Sequence, residues 1–335
     1  MMSSRIRARV ARVVLCCAGP LAAAQTQPTA KLPLRSAEPV KHYRIVELPL
    51  RPLHIGKAGD IVGRSPAHRA ATWSREQGLQ ELPLVEGFTQ AQASAQNSAG
   101  QVVGFAFTPN PFRSQAFLYQ QGKLSLLPGA RSKALAIDDS GAVAGESQVE
   151  GKKPTRPVLW SGGAVTDLGS CCGGTAVDVN SQGVVIGNVY DERGKYRAFL
   201  WNKTEGSKLL PSESEYSAAV AINDDGHILV QEFEKGLFLF AEGAPVRLTS
   251  AKARAIDARG LNRADTVVGT FSLHADTDHA FIWNQHNGFH DLNEFIPANA
   301  GWNLEVASGI NDRGEIIGWG DHGDEEDVGF LLIPE

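Results

Sequence analysis

The body of this chain has no long apolar run and almost no helical periodicity, and each absence removes a class of protein. A membrane helix needs about 20 consecutive apolar residues, and nothing after residue 24 approaches that. The chain also lacks a zinc-protease helix motif, a phosphate-binding loop, a nucleophile elbow and a Cys-x-x-Cys pair, so the strongest signatures of the common hydrolases, nucleotide enzymes and dithiol proteins are missing. Basic charge is in deficit, with 32 Lys and Arg against 37 Asp and Glu, which argues against nucleic acid as a partner. Gly318-Trp319-Gly320-Asp321-His322-Gly323 has the spacing of a dinucleotide fingerprint. The motif needs a following helix to hold the pyrophosphate, however, and here an acidic run, Asp324 to Asp327, and then a strand pattern follow.

The first 24 residues read as a Sec-type signal peptide. Arg5, Arg7, Arg9 and Arg12 form a basic start, Val13 to Leu21 an apolar stretch too short to span a bilayer, and Ala22-Ala23-Ala24 a small-residue cleavage site. Loss of those four arginines takes the formal charge from −5 to −9. Residues 25–42, with Pro28, Pro33 and Pro39, read as a flexible linker. The expected product is a secreted or periplasmic protein without a membrane span, and a monomer. Cys16 and Cys17 fall inside the signal, so the mature chain keeps Cys171 and Cys172 alone. Semi-buried thiols in a Gly-rich connector are the first reading of that pair. A strained bond between neighbours, whose α-carbons lie only about 3.8 Å apart, and an intermolecular or metal role are the alternatives.

What the chain does have is a repeat. Ile310-Asn311-Asp312-Arg313-Gly314 with Ile316-Ile317 reads as two short strands joined by a tight turn, the asparagine bonding its own backbone and the glycine taking the left-handed region. Copies stand at Ile137–Gly141, Val179–Gly183 and Ile222–Gly226, and looser ones at Gly56–Gly59, Asn97–Gly100 and Asn262–Asp265. The turn markers at 59, 100, 141, 183, 226, 265 and 314 are spaced by 41, 41, 42, 43, 39 and 49 residues. Asp265 replaces glycine in one of them, a residue that tolerates the left-handed region better than most. Each unit holds four strand-like pieces, and a third-strand pattern recurs as Phe117-Leu118-Tyr119, Phe199-Leu200-Trp201 and Phe281-Ile282-Trp283.

Four short strands per unit of this length predict an all-β fold, a seven-bladed β-propeller over residues 43–335. The last unit stops after its third strand, whereas Tyr43 to Pro49 resembles a fourth. The N-terminal strand is therefore expected to complete the last blade and seal the ring, removing two open edges.

The His279-Ala280-Phe281-Ile282-Trp283 piece, Asp291-Leu292-Asn293, and Gly301-Trp302-Asn303-Leu304 running into Gly309-Ile310-Asn311 resemble the HAF-repeat family. The resemblance covers roughly residues 90 to 333. It implies a secreted protein with a propeller-like repeat fold, and no established reaction, cofactor or catalytic residue. Cys171-Cys172 departs from that family's usual Thr-Leu, and its C-terminal sorting tail is missing here.

Loops joining second and third strands share a face with the connectors between blades, and long variable loops on a rigid scaffold are where binding usually resides. On that face the sixth unit carries His274, Asp276, Asp278 and His279, the seventh carries Asp321, His322, Asp324 and Glu325, and the connector between them carries Trp302. Such a set suits a polar ligand such as a saccharide, or a divalent metal; a solvated acidic rim is the plainer reading. The turns lack the alternating acidic oxygens of a calcium loop. Trp73, Trp160, Trp201 and Trp283 share one repeat position and read as core between blades, and Lys252, Arg254, Arg259 and Arg263 read as a solvated face. The favoured function is a non-enzymatic binding scaffold for a protein or carbohydrate, with no cofactor. The alternative is a propeller hydrolase or lyase at the axial mouth of the loop-rich face, using His274, His279 or His322 as acid or base.

Overall fold

Alternation of small apolar and polar residues, as in Gln90–Gln96 with Ala91, Ala93 and Ala95 buried, is what a pleated ribbon with one packed face requires. The computed structural model describes residues 42–335 except 150–153, 170–171, 242–243, 251–252, 254 and 275–276, and gives the backbone alone at 274 and 277. It is a seven-bladed β-propeller of four-stranded antiparallel sheets. Six blades, spanning residues 51–81, 90–126, 130–167, 174–209, 217–248 and 255–291, are simple meanders in chain order. In the seventh, Trp302–Ile310, Ile316–His322 and Glu325–Pro334 are completed by Tyr43–Leu48. That N-terminal strand pairs antiparallel with the third, from Tyr43 opposite Pro334 to Leu48 opposite Gly329. The expected closure is therefore present.

The first strand of every blade is innermost and carries a bulge, falling between Pro52 and His54, Ala93 and Ala95, Ala134 and Ala136, Ala176 and Asp178, Ala219 and Ala221, Ala258 and Gly260, and Ala307 and Gly309. Glycines on the second strand permit it. A Cβ at Gly63, Gly104, Gly145, Gly187, Gly269 or Gly318 would lie only 1.9 to 2.2 Å from an inner-strand carbonyl oxygen; Val230 holds this place in blade five. The freed space also receives the third-strand ring: Gly187 Cβ would lie 2.6 Å from Phe199. Phe117, Phe199, Phe281 and Phe330 are the largest fully buried side chains, all at this position. Gly187→Ala is thus expected to cost ~1–3 kcal/mol by overpacking, read as a lower urea midpoint at unchanged slope. An unaltered midpoint would remove this account of the glycines.

The tryptophans sit as expected. Trp160 and Trp283 are buried, while Trp73 and Trp201 pack partly buried against the clusters of their blades. Gly318 of the fingerprint-like stretch lies within the strand Ile316–His322, so no helix N-terminus follows it. Asp265 takes the left-handed region in place of glycine, at φ 59°. One reading needs correction: Cys172 is not a free thiol but half of a disulfide. Cys171, like the whole of residues 1–41, lies outside the described residues, and so do the signal-peptide and linker readings.

Candidate functional site

The turns between first and second strands gather around the axis on one face and are bonded to one another. In six of the seven, the side-chain oxygen of Asn or Asp accepts from the backbone two and four residues on; Asn223 Oδ1, for instance, takes Asp225 N at 3.1 Å and His227 N at 2.9 Å. The amide nitrogen then reaches the next blade. Asn97 donates to the carbonyl of Asp138, Asn180 to Asn223, Asn223 to Asn262, Asn262 to Asn311, and Asn311 to Gly56, at 3.0 to 3.3 Å. Gly56 and Asp138 hold this position in blades one and three and have no amide to give. The Asn or Asp oxygen that heads six of these turns is thus spent on backbone N–H groups. Asn223→Ala leaves several buried groups unpaired, with an expected cost of ~2–3 kcal/mol in chemical denaturation.

Within this ring opens an axial cavity of about 260 Å³, lined by the inner strands and turns of all seven blades. The residue five before each turn marker lies just after the bulge: His54, Ala95, Ala136, Asp178, Ala221, Gly260 and Gly309. Five are small. The other two are titratable, and both His54 and Asp178 line the cavity. His54 Nδ1 is buried without a hydrogen-bond partner among the described residues, and burial lowers the imidazole pKa to about 4. Burial likewise raises Asp178 to about 6, against the pull of the Ile222 and Val179 N–H groups that its carboxylate accepts at 3.0 and 2.8 Å.

Lys57 stands at the mouth. Its ammonium lies 2.9 Å from Asp139 of blade three and 3.1 Å from Asp224 of blade five. Asp139 also accepts from Ser98 N, and Asp224 from Ser181 N, both at 2.9 Å. The Ser98 N–H, with Lys57 behind it, lowers Asp139 to about 2. Burial works against ionised Asp224, yet Ser181 and Lys57 hold it below the usual carboxylate range. The Asp139 and Asp224 hydrogen bonds raise Lys57 in turn, against its own desolvation. Arg263 joins this rim, 3.0 Å from Asp225, whereas Arg259 pairs with Asp257 at 2.8 Å. Lys252 and Arg254 lie outside the described residues.

On the opposite face the sequence-predicted residues pair off locally. Trp302 stacks on His322, with ring centroids 4.5 Å apart and planes within 6°, and His322 Nδ1 is 3.0 Å from Glu47 of the closing strand. His279 Nδ1 is 2.5 Å from Asp291 on the outer strand of its own blade. Asp278 accepts from Ser272 at 2.6 Å. Glu305 is raised by burial and by the fields of Asp321, Asp327, Asp278 and Glu326, while Asp324 is exposed in its turn. His274 ends the strand Val267–His274, and Asp276 lies outside the described residues. The structure therefore joins Trp302 to His322 and pairs His279 with Asp291. Among the described residues no three His, Cys, Asp or Glu side chains are grouped to share a metal ion, and no helix is long and apolar enough to cross a membrane.

His54, Asp178 and Lys57 were not among the sequence candidates. The repeat markers themselves would have found the first two, since the position five residues upstream is small in every other unit. Their convergence on one cavity required the ring.

Fold and axis together define a seven-bladed β-propeller with a chemically uneven centre. No family model matches the chain, and no curated protein matches it. Solved structures do. Virginiamycin B lyase from Staphylococcus aureus matches with a TM-score of 0.56 at 12% identity, over 88% of this chain and 100% of that one. U3-55K matches at 0.54 and 10%, over 88% and 98%. The β-propeller domain of the Trilobed protease from Pyrococcus furiosus matches at 0.52 and 11%, over 74% and 84%. At these identities the likeness is one of fold.

Proposed function

We infer that the protein is a secreted, non-catalytic binding module of HAF-repeat type whose ligand seat is the axial cavity on the turn face. The observation that carries this is the pair His54 and Asp178, the only titratable residues at a ring position that is otherwise Ala or Gly, both lining one cavity. A regular propeller needs neither for packing, and burying each costs stability. A hydrolase or lyase at the axial mouth of the loop-rich face would have to work from His279 beside Asp291 or His322 beside Glu47, each a pair with one carboxylate. Secretion is supported by the basic, apolar and small-residue series of residues 1–24 and by the disulfide at Cys172, since such bonds persist in oxidising compartments.

The test is a thermal-shift screen of the full chain against small amines, carboxylates and sugars, repeated for each hit in Ala221→Leu, which fills the cavity, and in Trp302→Ala. Hits lost in the first variant and kept in the second support the axial seat. Hits lost in Trp302→Ala alone move the site to the loop-rich face.

A further inference from the structure

The axial mouth already holds an ammonium group, and that group belongs to the protein. Building on the axial seat, we propose that the ligand is a small primary amine with a second polar group, which enters by displacing the Lys57 ammonium from Asp139 and Asp224. The two carboxylates are fixed without Lys57, because each accepts a backbone N–H from the preceding blade, Ser98 for Asp139 and Ser181 for Asp224. They remain aimed at the axis when the lysine leaves. Lys57 is a flexible side chain, about half exposed, and an exposed ion pair favours the bound position by no more than about fivefold, so exchange for a second ammonium is cheap.

The interior favours the same charge. Five carboxylates line the cavity, Asp138, Asp139, Asp178, Asp224 and Asp312, against three cations, Lys57, Arg259 and Arg263. Deeper in, the uncharged imidazole of His54 lines the cavity wall, its buried Nδ1 without a hydrogen-bond partner among the described residues, and Ala221, Gly260 and Gly309 leave room around it. The cavity of about 260 Å³ has room for about eight waters at ~30 Å³ each, which suits a molecule of six to ten heavy atoms. An ammonium seated between Asp139 and Asp224 sends its tail along a wall that carries His54 and Asp178.

Calorimetric titration of the full chain with 1,4-diaminobutane tests this, with 1,4-butanediol and succinate as neutral and anionic probes. The diamine is expected to bind and the other two not. Lys57→Ala removes the tethered competitor and should tighten diamine binding by up to about sixfold, the factor that a pairing preference of about fivefold imposes. Asp139→Asn with Asp224→Asn should weaken it by at least as much. Absence of diamine binding in both the native chain and Lys57→Ala, or weaker binding by Lys57→Ala, overturns the proposal. Binding of succinate or the diol, lost on Ala221→Leu, also overturns the amine assignment while leaving the axial seat standing.

Discussion

Removal of Tyr43–Leu48 is expected to open the ring and cost most of the protein's stability. The strand pairs along its whole length with Glu325–Pro334. Tyr43 packs with Phe330 and Leu332, while Leu48 packs with Ile55 and Ile61, so it clamps blade seven to blade one as well as covering an edge. Two buried side chains, Tyr43 and Leu48, and the partly buried Ile45 and Val46 together contribute ~5–8 kcal/mol. A net stability of ~5–15 kcal/mol leaves little after that loss. The shortened chain should melt at least ~10 °C below the full chain or fail to fold, and a peptide of residues 42–50 added in trans should restore part of the loss by strand addition. If the shortened chain does not express, Tyr43→Ala and Leu48→Ala keep the test open, each expected to cost ~2–4 kcal/mol. A shortened chain with the melting temperature of the full one would show that the closing strand holds nothing together.

The second large effect is a pH dependence with two opposed parts. His54 has its folded pKa lowered to about 4 from an unfolded value of about 6.5. The unfolded state therefore gains its proton first, so stability is intact above pH ~6.5 and falls as pH drops toward ~4. Asp178 has its folded pKa raised to about 6 from an unfolded value of about 3.9. Here the unfolded state releases its proton first, so stability is greatest below pH ~4 and falls as pH rises toward ~6. Each contributes up to ~2–3 kcal/mol, less where cavity water reaches the group, and between pH ~4 and ~6 they largely offset. Single substitutions expose them. His54→Gln should leave a chain that loses stability as pH rises through that window, and Asp178→Asn one that loses it as pH falls. Urea midpoints at half-unit steps from pH 4 to 7 read both slopes. Parallel curves for the two variants would mean that neither side chain is buried as described.

The architecture was legible because it rests on local chemistry repeated seven times. Turns headed by Asn or Asp fix six of the hairpins, Phe at one third-strand position fills the core of four blades, and the strand-like Tyr43–Pro49 stretch had no partner except the open edge of the last blade. The site was less legible. Seen along the chain, His274, His279 and His322 stand among carboxylates and look like a cluster. The antiparallel register instead assigns His279 to Asp291 on the neighbouring strand and lays His322 on Trp302, opposite it in the ladder. His54 and Lys57 stand at least 121 residues before Asp178, and only closure of the ring brings the three to one cavity. The role of the turn asparagines shows the same limit. Their bonds to their own backbone follow from residue type, but the bond that each sends to the next blade depends on the blades standing side by side.

A ligand on the axis and a ligand on the loop-rich face touch different histidines, and one spectrum reports both faces. Imidazole resonances of His54, His279 and His322, assigned in the full chain, are followed while a ligand found by the thermal-shift screen is added. Binding at the axis predicts that His54 shifts and that His279 and His322 stay in place. Movement of His322 or His279 with His54 unperturbed would contradict it.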